Sequence, residues 1–168
     1  GDDPTLVGNA LKSLTDELLN GESREIGVEE VNEANHRADN GDYSLEALLT
    51  AAQTIPFLTD SRVVVGRDMG AFSKKDMIGP LLEYLENPLD TTRLILVWEK
   101  GPQQQRLGQI PKPLIERIEQ CGQVIDTRVG RKTGVWIRDQ IALSGVSLDK
   151  AATDALVENI GEDLANVQ

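Results

Sequence analysis

Leu6, Val7, Ala10, Leu11, Leu14 and Leu18 recur at the three- and four-residue spacing of an amphipathic helix. Asp2, Asp3 and Pro4 give it an acidic cap and a helix-starting proline, and Gly21 closes it. Residues 24–31 read as a short strand, and the polar residues 32–42 as a loop or short helix with Asn40 and Gly41 at a turn. Ser44 caps a second helix through Leu45, Leu48, Leu49 and Ala52. Pro56 stops it, because a proline pushes the residue before it, Ile55, out of the helical region. Val63, Val64 and Val65 follow as a β-branched strand. Then come a helix over 75–86, an apolar strand over 94–98, a helix over 113–120 and a short strand over 123–126. Apolar strands alternating with helices predict an α/β fold, a parallel sheet with helices on both faces.

Beyond Asp126 the pattern changes. Residues 135–143 and 148–159 are both amphipathic helical patterns, with Ser147 or Asp149 as a cap and Gly161 as a stop. No strand signal follows. The sequence therefore divides near residues 128–132, with an α/β domain over 1–128 and the start of a small helical domain over 129–168. A length of 168 residues suits that count.

Composition narrows the class. An apolar fraction of 39% with mixed charges argues against disorder. No apolar run approaches the roughly 20 residues that span a bilayer. The single cysteine, Cys121, cannot form an internal disulfide, and no secretory signal opens the chain, so a cytoplasmic location is expected. Cys121 has no histidine near it in sequence and is expected to be a small buried or half-buried residue. The net charge of −11 is unevenly held: residues 1–60 carry three basic and thirteen acidic side chains, the remainder fourteen and fifteen. The first third should therefore repel phosphates and grip nucleic acid poorly.

Candidate chemistry is sparse. A phosphate-binding loop needs glycines, a lysine and a Ser or Thr opening a helix. The nearest imitation, ending in Gly130, Arg131, Lys132 and Thr133, has Arg131 in place of the second glycine and Asp126 in place of the first. Asp68 and Glu99, at predicted strand ends, could hold magnesium, but without a lysine cradle they read as solvated charges. His36 has no second His or Cys at ligand spacing and is expected on the surface. No Gly-x-Ser-x-Gly pattern is present. No catalytic residue, nucleotide site, metal site or cofactor is expected. Arg128, Arg131, Lys132 and Arg138 form one basic concentration at the predicted domain junction, either a solvated helix-end patch or a phosphate or partner contact.

The most informative segment is Gln53, Thr54, Ile55, Pro56, Phe57 and Leu58. Among only six aromatic residues, Phe57 stands directly after a proline that ends a helix, and polar Thr59, Asp60 and Ser61 follow Leu58. Two large apolar groups are thus projected from a helix end. The residues leave two readings open: a core plug between that helix and the next strand, or an exposed docking knob.

At these residues the chain resembles the delta subunit of the bacterial DNA polymerase III clamp loader. The stretch from Ser44 to Val65 matches that family's helix, Gln-Thr-Leu-Pro-Leu-Phe-like element and valine-rich strand. Gly1-Asp2-Asp3-Pro4, Leu82-Glu83-Tyr84-Leu85-Glu86-Asn87-Pro88, Trp136-Ile137-Arg138 and Gly161-Glu162-Asp163-Leu164 agree in order and spacing. The resemblance implies a degenerate AAA+-like fold without ATP binding, followed by a helical lid. It implies that residues 53–58 enter a pocket of the sliding clamp, the beta subunit, with Phe57 and Leu58 as anchors and Gln53 and Ile55 beside them. It implies further loader subunits joined through a collar domain, contact with DNA only within the full complex, and no membrane. Two departures stand out: the family more often has Leu before Phe, and its first strand and collar lie outside this sequence, so a fragment is expected. Competing readings are a P-loop ATPase fragment lacking its nucleotide motif and a nucleic-acid-binding domain using the basic cluster near 128–138.

Overall fold

The computed structural model describes residues 4–19, 21, 23–38 and 40–127. Three strands form the frame: β1 (Val28–Val31), β2 (Arg62–Gly66) and β3 (Thr92–Leu96), all parallel and in the order β1-β2-β3. Val28 stands opposite Val63 and Val31 opposite Gly66, while Arg62 and Gly66 on the other side face Thr92 and Leu96. Parallel neighbours need crossovers. α3 (Glu46–Gln53) lies in the first, and α4 (Gly79–Tyr84) in the second. The middle strand is covered on both faces, which is why Val63, Val64 and Val65 are apolar in succession and at most 2% exposed.

The core gathers Leu48 and Ala52 of α3, Val64 of β2, Leu81 of α4, Phe72, Ile78 and Leu114. Leu114 belongs to α5 (Lys112–Cys121). Each of the larger ones, fully buried, contributes roughly 1.5–3 kcal/mol through loss of water contact. The predicted helix over 75–86 arrives in two pieces, a 3₁₀ turn at Lys75–Ile78 and then α4. Pro80 lies in the first turn of α4, where a missing amide costs nothing.

α1 (Pro4–Leu19) begins at its proline, and Gly21 follows it at φ 93°, a left-handed conformation that suits glycine. The strand predicted from residue 24 begins only at Val28, because residues 24–27 first make a helical turn, α2 (Arg24–Gly27), whose Gly27 amide donates to the Ser23 carbonyl at 2.9 Å. The turn at residues 40–41 is present: Gly41 has φ 83° and donates its amide to the Ala38 carbonyl at 2.8 Å. The strand predicted over 123–126 is not formed. Val124 and Ile125 are about half exposed and in no sheet, since β-branched composition makes a strand only where an edge offers backbone partners.

The chain divides into two units, Lys12–Ile125, which holds the sheet, and Gly1–Leu11 with Asp126–Gln168. Most of the second unit lies outside the described residues. So do the helices predicted at 135–143 and 148–159, the basic cluster Arg128, Arg131, Lys132 and Arg138, and the motifs at 136–138 and 161–164. No helix among the described residues is long and apolar enough to cross a membrane.

Candidate functional site

α3 starts where Ser44 Oγ accepts the Glu46 amide at 3.1 Å. It stops at Gln53: Thr54 is already extended (φ −79°, ψ 121°), one residue before Ile55, the position that Pro56 restricts. The Thr54 hydroxyl turns back to donate to the Thr50 carbonyl at 2.7 Å. The Ala52 carbonyl, left without a helical partner, accepts the Tyr84 hydroxyl at 3.2 Å and Thr92 Oγ1 at 2.9 Å. Arg62, paired with Glu29 of β1, reaches the Thr54 carbonyl at 3.5 Å. Three neighbouring elements thus hold the end of this helix.

From that base the chain runs outward. Ile55 is 71% exposed, Phe57 96% and Leu58 73%; Gln53 and Thr54 are exposed and Pro56 half-buried. The structure therefore brings all six residues into one surface element, and the core-plug reading fails because Phe57 touches almost nothing. A single exposed leucine means little, but three large apolar groups in four residues, one of them a rare aromatic, form a patch that water disfavours. Tyr84, Thr92 and Arg62 escape a sequence reading, although a buried tyrosine in an apolar helix must find a hydroxyl partner and hints at such a role.

The opposite, carboxyl end of the strands is where parallel α/β sheets usually take ligands. Here it is filled by the chain's own polar groups. Glu33, 4% exposed, accepts the Tyr43 hydroxyl and the Gln103 amide (2.8 Å), with Arg37 3.7 Å away. Burial acts to raise its pKa, but the Tyr43 and Gln103 hydrogen bonds and the Arg37 charge outweigh it, and the carboxyl is held below its ordinary range. Burial first, then the Glu33 carboxylate, pushes the Tyr43 phenol up. A Cβ on Gly101 would stand 2.7 Å from Glu33 Oε2, so the loop after β3 is closed tightly over this carboxylate.

Three sequence expectations are corrected. His36 is fully buried rather than on the surface; it packs edge-on against Phe72 (5.0 Å between centroids), and its Nε2 lies 3.1 Å from the Arg67 carbonyl. Burial lowers its pKa despite nearby Asp68 and Glu33, so the ring is held neutral. Asp68 and Glu99 are not simply solvated. Asp68, at φ 58°, accepts the Glu33 amide at 2.9 Å, and Glu99 pairs with Arg67, whose guanidinium it holds above its ordinary pKa. The third correction is Cys121, which is exposed: it ends α5, and its thiol donates to the Arg117 carbonyl at 3.3 Å. No cluster of three metal-ligating side chains occurs among the described residues.

A family described as DNA polymerase III, delta subunit matches residues 1–119. No curated protein matches the sequence. Among solved structures the chain is similar to a Bacillus subtilis DNA clamp loader delta protein, at 14% identity and a TM-score of 0.63. The likeness covers 96% of this chain and 48% of that one, so the chain spans about half the length of its relative. At such low identity the likeness establishes the α/β fold.

Proposed function

The chain belongs to the DNA polymerase III delta-subunit family, and from that premise we propose that it is a clamp-loader subunit that grips the sliding clamp. The gripping element is Gln53, Thr54, Ile55, Pro56, Phe57 and Leu58, with Phe57 and Leu58 as anchors in an apolar pocket of the ring. The observation that carries this reading is the 96% exposure of Phe57 on a helix end that is itself held firmly. A rigidly presented aromatic is the kind of residue that dominates protein interfaces.

In this reading the chain favours the opened ring by binding it more tightly than the closed one, and by no more than that difference in affinity. It hydrolyses no ATP of its own. Other loader subunits join it through a collar domain, DNA is met only within the full complex, and the work is cytoplasmic. The gripping domain occupies residues 1–128, and residues 129–168 begin the lid.

The test follows release of a sliding clamp closed around circular DNA. Release that needs intact Phe57 and Leu58 and ignores ATP supports the proposal. Binding without release would reduce the chain to a tether, and DNA binding by the chain alone with steep salt dependence would favour a nucleic-acid-binding domain instead.

A further inference from the structure

The last turn of α3 is held by two groups from outside the helix. A helix leaves its final four carbonyls without internal partners, and at an open end water satisfies them. The Ala52 carbonyl instead takes two hydroxyl protons, from Tyr84 of α4 and Thr92 of β3, and all three residues are buried. One donor would satisfy a buried carbonyl. Two donors from different elements occupy both lone pairs and so fix the direction of the peptide plane between Ala52 and Gln53. Gln53 is already exposed, and Ile55, three residues beyond the fixed carbonyl, begins the apolar element. Phe and Val would fill the volumes of Tyr84 and Thr92 almost as well, so what the hydroxyls add is satisfaction of this carbonyl and, because there are two of them, its direction.

We propose that Tyr84 and Thr92 are positioning residues for the docking element. They hold the root of residues 53–58 so that Ile55, Phe57 and Leu58 leave the helix in one direction, which lowers the ordering cost of docking. The inference rests on the reading that Phe57 and Leu58 grip the ring.

The experiment measures affinity of the chain for the cognate sliding clamp by surface plasmon resonance, with melting temperature alongside, for Tyr84→Phe, Thr92→Val, Thr92→Ser and the Tyr84→Phe/Thr92→Val pair. The pair should bind about tenfold more weakly, because an element no longer held at its root must be ordered on docking. Thr92→Ser keeps the hydroxyl and loses a methyl group, whereas Thr92→Val keeps the packing and loses the hydroxyl. Positioning therefore predicts near-normal affinity for Thr92→Ser and weakened affinity for Thr92→Val, whichever melts lower. Affinity for Thr92→Ser as weak as for Thr92→Val, or Thr92→Val and Tyr84→Phe binding like the parent, overturns the inference. A Phe57→Ala/Leu58→Ala chain that binds normally overturns the gripping reading itself, so the two failures are distinct.

Discussion

Replacing Phe57 and Leu58 together by alanine should separate folding from docking. With 96% and 73% of these side chains already in water, truncation removes almost no buried surface from the free chain. Such surface changes alter stability by only about 0.5 kcal/mol either way. Docking is different, because each side chain that passes fully from water into a pocket contributes roughly 1.5–3 kcal/mol. The pair should therefore cost about 3–6 kcal/mol of binding, or roughly 10²- to 10⁴-fold in affinity. Leu58 is already partly covered and so has less to gain than Phe57, and Phe57→Ala alone should cost more than Leu58→Ala alone. Titration calorimetry against the cognate sliding clamp measures the loss, and thermal unfolding by circular dichroism checks the fold. Binding of the double variant within threefold of the parent would refute the reasoning. So would a large drop in melting temperature with affinity per folded molecule unchanged, which would mean that the pair supports the core.

Four further outcomes are expected. Leu48→Ala, at a site with no exposure in the core between α3 and β2, should lower stability by about 2–5 kcal/mol in urea unfolding. Gly101→Ala would press a methyl group to within 2.7 Å of a Glu33 carboxylate that its partners hold in place; a loss of about 1–3 kcal/mol is expected, and an unchanged urea midpoint would contradict the close fit. His36 is held below its ordinary 6.5, so the unfolded chain takes up the proton first, and His36 contributes stability above pH 6.5 that is lost as the pH falls toward its folded value. The drop in urea midpoint between pH 7.5 and 5.5 should accordingly be smaller in His36→Gln than in the parent. Thr15, 1% exposed, has a hydroxyl without a hydrogen-bond partner among the described residues; Thr15→Val should hold or raise the melting temperature, and a fall of several degrees would show that the hydroxyl is satisfied after all.

The order of elements was legible from residue pattern because each signal is local. Helical spacing at Leu6–Leu11 and beyond, the valine run at 63–65 and the stop at Pro56 act through the chain's immediate neighbours, and α1, β2 and the end of α3 lie where those signals put them. The proline also marked the place where residues 53–58 leave the helix. What local pattern could not supply was pairing and depth. Residues 123–126 have the composition of a strand, yet a strand exists only where another edge meets it, and none among the described residues does. His36 sits in a polar stretch that reads as surface, but folding brings it beneath Phe72 and the Arg67 carbonyl, which lie over thirty positions away in sequence. Phe57 was open to both readings, because an apolar side chain after a helix end can turn inward or outward. In the fold it turns outward, from a helix end whose Ala52 carbonyl takes the hydroxyls of Tyr84 and Thr92, thirty-two and forty residues away, which meet it only after the sheet and α4 have assembled.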